Sequence, residues 1–407
     1  MTLIECFTPS HIDNIAACLR LEPEQLIMIG KEDEMADPVE LYTALFRKRG
    51  LRTKVTMCNV GGMDFGEICN VLDKLVRNEP DCVIDLTGGD EPVIMAVGAV
   101  LSHLDGKKRQ NVRVEKFHHD LDAVLDCVNH QRKLPCRSAE LTVEELIAIH
   151  GGTLHPNAYQ PPASSTRKEL DGLWRIVSDD PKEWNRQVML LNQFESRSDS
   201  KTHIYLPLEH IRRGIPNFDE KEATVRDLLG KLHHYGVIED RSNYYALEYT
   251  YTSPLLRYCT QKAGNVLEVK TLLEGRAVSE NGATLFGDCR MSVNIDWDGV
   301  VHNPMKRIPE TRNEIDVVLM HGLTPLFISC KNGDIGEEEL YKLHTVATCF
   351  GGPYAKKMLI ATNLERKNPA SDRAFIQRAW DMDILLVTDA GELSREEWKQ
   401  VFLKAIG

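Results

Sequence analysis

Between residues 1 and about 145, short runs rich in Val and Ile alternate with amphipathic stretches of helical length, and this alternation does most to fix the fold class. TLIECF leads into SHIDNIAACLRL, QLIMIG into DPVELYTALFRKRG, RTKVTMCNV into DFGEICNVLDKLVRNEP, and DCVIDLTGG into EPVIMAVGAVLSHL. Strands that are apolar on both faces, separated by helices of about 10 to 15 residues, imply a parallel sheet covered by helices on both sides. In such a sheet the default ligand site lies at the C-terminal ends of the strands.

A Rossmann-like domain is therefore expected over residues 1–145. It carries neither GxGxxG nor GxxxxGK[ST], so an NAD or ATP site is unsupported. The chain has 407 residues, too many for one ordinary core, and two further regions are expected. Residues 146–255 open with GGTLHPNAYQPPASSTRKE, which reads as a connection. They continue into DEKEATVRDLLGKLHHYGVIEDRSNYYALEY, an amphipathic helix, Gly236 and two short strands around Ser242 and Asn243. Helix followed by hairpin is a winged-helix-like pattern. Its helix carries Arg226, Lys231, His233 and His234, few enough bases that a structural or dimer-forming role is favoured over DNA contact. Residues 256–407 mix both element types again: a single helix SPLLRYCTQKAGNVLEVKTLLEG, strands MSVNIDWDGVV, EIDVVLM and TPLFISCK, a helix IGEEELYKLHTVATCFGG, then strand, helix and strand.

Composition narrows the function classes. Hydrophobic residues make up 42% and charged residues 27%, a soluble globular balance. A net charge of −12 argues against coating nucleic acid through bulk charge, so any such contact needs local basic patches. No basic-then-apolar leader opens the sequence, no apolar run reaches the roughly 18 residues of a membrane helix, and eleven cysteines form no CxxC pair. These features favour a cytoplasmic protein with reduced thiols and no membrane partner.

The chemistry concentrates in RNEIDVVLMHGLTPLFISCKNG, residues 312–333. Glu314, Asp316 and Val318 share one strand face, and Phe327, Ser329 and Lys331 share one face of the next strand. Paired as a hairpin, these strands bring Asp316 and Lys331 together near their ends. A carboxylate and an amine so placed fit metal-assisted phosphodiester hydrolysis. The carboxylate binds Mg²⁺ or Mn²⁺, which neutralises phosphate and polarises water. The lysine orients or deprotonates the water, or stabilises transition-state charge.

Here the chain resembles the PD-(D/E)xK nuclease superfamily, whose pattern is a helix with Glu, a strand with Asp and an adjacent strand with (E/D)-x-K. Asp316 and Lys331 stand at the family's Asp and Lys, and GNVLEVKTLLEG supplies Glu268 as the helix acid. The resemblance implies Glu268 and Asp316 as metal ligands. The departure is Ser329, where the acid of the ExK motif would stand; Glu314, Glu337 or Glu338 is the expected substitute.

Two loops at strand ends mark the first domain: FTPSHIDN after the first strand and DLTGGDEP after the fourth. Glycines running into a helix start allow close backbone approach and free N–H groups for a phosphate, or a tight turn capped by Asp90. With the nuclease-like region behind it, this half resembles the CRISPR-associated Rossmann fold (CARF) sensors. The likeness implies activation by a cyclic oligoadenylate, most simply cyclic tetra-adenylate, bound across a homodimer. Carried over by motif, the ligand residues are Ser10, His11 and Asn14 in the first loop and Thr87, Gly88, Gly89 and Asp90 in the second.

Other features are expected to be structural. His118, His119 and Asp120 do not form a metal trio, because neighbours on a strand face opposite ways. Trp297 and Trp380 are expected in cores, and the basic run 107–116 on a solvated turn. The sequence thus reads as a cyclic-tetra-adenylate-activated, metal-dependent nuclease acting on DNA or RNA. The competing reading is a ligand-responsive transcription regulator whose nuclease domain is degenerate at Ser329.

Overall fold

The computed structural model describes residues 1–79, 81–119, 123–128, 132–134, 139–156, 159–196, 202–299, 312–333, 335–362 and 369–407. The first region alternates β1 (Thr2–Cys6), α1 (His11–Leu21), β2 (Gln25–Gly30), α2 (Glu32–Lys48), β3 (Lys54–Asn59), α3 (Phe65–Asn78), β4 (Cys82–Asp85), α4 (Glu91–His103) and α5 (Gly106–Gln110). It closes with β5 (Val112–His118), β6 (Ala123–Asp126) and β7 (Arg132–Leu134). The sheet order is β3-β2-β1-β4-β5-β6-β7, parallel through β5 and antiparallel beyond it. Chain order reverses between β1 and β4, so the crevice at their C-terminal ends is the topological switch point where ligands bind such sheets.

Period-two alternation sorts the side chains of these strands onto two cores. Ile4, Cys6, Ile27, Ile29 and Ile84 face α3 and α4. Leu3, Leu26, Met28 and Val83 face α1 and α2. Asp64 and Glu67 form a capping box on α3, and Asp105 caps α5.

A helix α6 (Val143–Ile149), capped by Thr142 with Glu145, leads into a short strand β8 (Thr153–Leu154). The middle region holds α7 (Arg167–Asp179), α8 (Pro181–Glu195), β9 (His203–Pro207), α9 (Leu208–Arg212), α10 (Phe218–His234), β10 (Ile238–Asp240) and β11 (Ala246–Tyr251). The helix and hairpin read from sequence are α10, β10 and β11, and β9 adds a third strand in the order β10-β11-β9.

The last region holds α11 (Pro254–Gln261), α12 (Asn265–Ala277), β12 (Ser279–Glu280), β13 (Ala283–Thr284), β14 (Asp288–Asp296), β15 (Arg312–His321), β16 (Thr324–Lys331), α13 (Glu338–Gly351), β17 (Lys356–Ala361), α14 (Pro369–Asp381), β18 (Ile384–Val387) and α15 (Arg395–Ile406). Its sheet runs β18-β17-β16-β15-β14-β8.

Three expectations need correction here. The stretch expected as one helix from 254 is two, because the chain breaks after Gln261 and restarts at Asn265, whose side chain bonds back to the Tyr258 carbonyl at 2.9 Å. The stretch expected as a plain connection contributes β8, the edge strand of the second sheet, paired to β14 through Leu154 and Ile295. The expected joins near 145 and 255 fall inside α6 and α11. One apolar core accordingly runs from Ile12, Ile15 and Ala16 of α1 through Leu146 of α6 to Leu340, Leu343 and Phe350 of α13. Among the described residues no helix is long and apolar enough to cross a membrane, and the described cysteines are all unpaired.

Candidate functional site

The second sheet brings the hairpin acid and lysine together as its register requires. β15 and β16 pair from His321↔Thr324 to Val317↔Ile328, and the next position sets Asp316 opposite Ser329. There the ladder gives way to side-chain bonding. The Cys330 N–H donates to Asp316 Oδ2 at 2.6 Å, and Ser329 Oγ donates to the same oxygen at 3.2 Å. Ser329 therefore orients Asp316 by hydrogen bonding rather than adding a charge.

Lys331 Nζ lies 3.9 Å from Asp316 Oδ2 and 2.8 Å from Glu339 Oε2. The acid that meets the lysine is thus Glu339, the third glutamate of the run that begins at Glu337; Glu337 pairs with Arg378 at 3.4 Å. Helical phase carries the signal for Glu339: it shares a face with Leu343, Val346 and Phe350, all buried, while Glu338 shares one with exposed Lys342.

Glu268 projects from the first turn of α12, which packs on β14, β15 and β16. It accepts a hydrogen bond from Ser292 Oγ at 3.4 Å, and Ser292 Oγ in turn meets Tyr258 Oη at 3.2 Å. Ser292 has φ 48 and stands between the pairs Met291↔Val317 and Val293↔Ile315 of a β14–β15 register that is the same on both sides. A non-glycine in this left-handed conformation costs about 1–3 kcal/mol, and here it aims a hydroxyl at the carboxylate.

Burial, then the charges of Asp316 and Glu314, push Glu268 up to about 8, so it is protonated at neutral pH. Burial also raises Asp316, against the pull of Lys331 and the bonds from Cys330 and Ser329. Burial opposes the Lys331 ammonium, yet Asp316 and Glu339 hold its pKa above the ordinary lysine value. Glu314 itself is exposed and acts on the site through its charge.

Among the described residues no group of three or more His, Cys, Asp or Glu is placed to hold a metal ion. Glu268, raised by burial and by the Asp316 charge, and Asp316 still fit one hard dication. Mg²⁺ commonly takes one or two carboxylates and completes its octahedron with water and phosphate oxygens.

At the first sheet, the sequence-chosen loops meet across the switch point. Asn14 is fully buried; its Oδ1 accepts from Thr8 N–H at 2.9 Å and its Nδ2 donates to the Thr8 carbonyl at 2.7 Å. A further Nδ2 bond to Tyr42 Oη at 3.1 Å completes its use. Asn14 thus builds the first loop rather than reaching out of it. Thr87 is used the same way: its N–H donates to Asp85 Oδ1 at 2.7 Å, and its Oγ1 accepts from Phe117 N–H at 2.8 Å. A Cβ at Gly88 would overlap the Thr8 side chain. Gly89, at φ 108, would collide with Cys6. The glycines let the two loops touch. Asp90 holds the N-cap position of α4 without a side-chain cap bond, and Ser10 Oγ is buried with no partner among the described residues. His11 bonds Tyr42 Oη at 2.7 Å and packs edge-on against His150; burial, then His150, lowers its pKa to about 4.

Sequence reasoning missed the acid row beneath these loops. Glu5, Asp85 and Glu115 are register neighbours on β1, β4 and β5, all buried, with Arg20 of α1 at 3.2 Å from Glu115 and 3.9 Å from Asp85. Burial pushes Asp85 up to about 7. Alternation encodes the row, since each acid occupies an apolar-facing strand position.

The remaining candidates resolve as follows. Arg226 pairs with Glu222 at 2.8 Å and Lys231 with Asp227 at 2.9 Å, so these two bases of α10 are engaged along the helix itself. His119 Nε2 meets Asp13 at 2.9 Å, and Asp120 lies outside the described residues. Trp297 packs edge-on against Phe350, whereas Trp380 is 76% exposed, contrary to expectation. The basic run is partly engaged: Lys108 bonds the Glu79 carbonyl and Arg113 pairs with Glu115 at 3.0 Å.

No protein-family profile matches the chain, and no curated protein resembles it in sequence. Solved structures do match its fold. Protein VC1899 from Vibrio cholerae superposes with TM-score 0.70 at 16% identity, covering 100% of this chain and 98% of that one. Can2 from Sulfobacillus thermosulfidooxidans, solved in complex with cyclic tetra-adenylate, superposes with TM-score 0.64 at 15% identity, covering 100% and 99%. A type III CRISPR defence DNA nuclease activated by cyclic oligoadenylate reaches TM-score 0.49 at 16% identity, over 91% of this chain and 46% of that one. At these identities the first two likenesses establish the fold: a mixed α/β chain with a parallel Rossmann-like sheet and a second sheet.

Proposed function

We propose that this chain is a cyclic-tetra-adenylate-activated, metal-dependent nuclease of the CARF and PD-(D/E)xK type, hydrolysing phosphodiester bonds of DNA or RNA in type III CRISPR antiviral defence. The observation that carries the reading is the convergence of Asp316, Lys331 and Glu268 at one end of the second sheet, in a chain whose first sheet has glycine-tight loops at its switch point. The end-to-end likeness to Can2, which binds cyclic tetra-adenylate, supports the ligand.

Glu268 and Asp316 are the residues to hold Mg²⁺ or Mn²⁺, which when bound supplies charge neutralisation at the phosphate and a more acidic water. Ser329 and the Cys330 amide fix Asp316. Lys331 faces the scissile phosphate, where its ammonium stabilises developing negative charge and orients the attacking water. At the first sheet, the Gly88–Gly89 backbone and the start of α4 supply N–H groups to ring phosphates. A two-fold symmetric ring fits a homodimer. Exposed Met57, Met63, Phe65 and Met95, around the neighbouring helices α3 and α4, are an apolar surface suited to a second copy.

The test is cleavage of plasmid, single-stranded DNA and RNA in Mn²⁺, with and without cyclic tetra-adenylate, beside Lys331→Ala. Cleavage that needs both ligand and Lys331 supports the proposal. Sequence-specific duplex retention in EDTA, with no cleavage, would support a regulator instead. The paired bases of α10 weigh against that second reading.

A further inference from the structure

The geometry points to α13 as a lever joining the first sheet to Lys331, with Glu339 as the lysine's positioning residue and Tyr354 as the lever's anchor. The inference rests on the proposed nuclease reading and adds the residues that couple its two halves.

Glu339 lies in the first turn of α13, a helix of 14 residues, about 21 Å long at 1.5 Å per residue. It ends in a 3₁₀ turn, Gly352–Tyr354. Tyr354 there crosses to the first region: its Oη donates to Asp13 Oδ1 at 2.8 Å, and its ring stacks on His119 with centroids 3.4 Å apart. His119 Nε2 meets the same Asp13 oxygen at 2.9 Å, closing a three-residue clamp. Asp13 lies on α1, three residues after Ser10 and one before Asn14, so the clamp is built directly onto the first ligand loop.

The far end of the lever holds the ammonium of Lys331 between two acids. Glu339 has it at 2.8 Å, and Asp316, which belongs to the reacting centre, at 3.9 Å. An ammonium shared so unequally has two arrangements, and a shift of α13 by about an ångström decides which one it takes. Between the ends α13 transmits motion rather than absorbing it. Leu340, Leu343, Val346, Ala347 and Phe350 are buried in the same core as Ile12, Ile15 and Ala16 of α1, and close-packed interiors transmit displacement. A ring that prefers one setting of the first loop therefore biases the lysine, which is the differential binding any coupling requires.

The test uses the full chain and reads both ends. Tyr354→Phe keeps the ring on His119 and removes the bond to Asp13. It is expected to bind cyclic tetra-adenylate within about twofold of wild type while ligand stimulation of cleavage falls about tenfold. Asp13→Asn is expected to do the same. Glu339→Gln is expected to raise ligand-free cleavage about tenfold and to flatten stimulation, while Glu339→Asp retains a low ligand-free rate. Hydrogen exchange over residues 337–343, in metal-free protein, is expected to change on ligand addition in wild type and not in Tyr354→Phe. Wild-type stimulation in both Tyr354→Phe and Asp13→Asn would overturn the lever. Unchanged or abolished ligand-free cleavage in Glu339→Gln would overturn the role of Glu339. A wild-type protein that neither binds the ring nor cleaves would instead overturn the nuclease reading, and the lever with it.

Discussion

The two ends of this molecule treat their polar residues in opposite ways. At the first sheet, the residues that mark a ligand loop in sequence are used up inside the protein: Asn14 closes on Thr8 and Tyr42, Thr87 on Asp85 and Phe117, and the glycines exist to let two loops touch. What remains to offer a ligand is mostly backbone, with the Ser10 hydroxyl and the Asp90 carboxylate beside it. At the second sheet the residues are left in tension, with Glu268 held near 8 by burial and by Asp316, and Lys331 divided between two acids. A binding loop needs shape, which internal bonds provide. A reacting centre needs unbalanced charge, which a substrate or ion then relieves.

The sharpest break between the regions is expected from Lys331→Ala. It should lower ligand-stimulated cleavage by about 10²- to 10³-fold, as loss of one transition-state stabiliser does elsewhere, and leave ring binding unchanged. The converse variant is Gly88→Ala, whose methyl group overlaps Thr8. It is expected to cost about 1–3 kcal/mol of stability and to abolish ring binding, while the pH behaviour of the second sheet is retained. Thermal unfolding with and without ligand checks both parts.

A third prediction concerns Glu268 alone. Its folded pKa, about 8, is above the ordinary carboxyl value of 4.5, so the native state holds the proton more tightly than the unfolded chain. That contribution is complete below about pH 4.5 and is lost as pH rises towards 8. Metal-free stability should fall across this window by up to about 1.4 kcal/mol per pH unit, and Glu268→Gln should flatten that slope. Denaturant midpoints at several pH values measure it. The smallest effect is expected from Ser329→Ala, which removes one neutral hydrogen bond to Asp316: about three- to tenfold in cleavage and nothing in ring binding.

The sequence carries much of this architecture because its strongest signals are local. Apolar runs and helical faces announce β1 to β4 and α1 to α4, whereas α5, β5, β6 and β7 went unread; Asp316, Ser329 and Lys331 adjoin one another because hairpin register is arithmetic. What escaped reading depends on side-chain contacts rather than on local periodicity. Glu339 was hidden among three adjacent glutamates and separable only by helix phase. Tyr354 meets Asp13 across 341 positions, and no local pattern announces such a pair. The break between α11 and α12 rests on the Asn265 side chain bonding back to Tyr258. Trp380 shows the opposite failure: residue type favoured a core, and the fold placed it in solvent.

The central claim is that sensing and hydrolysis occupy separate sheets. Titration calorimetry of cyclic tetra-adenylate into the Lys331→Ala protein tests it most directly. The account predicts wild-type affinity with one ring bound per two chains. Absence of binding, or an affinity that collapses with the lysine, would contradict it.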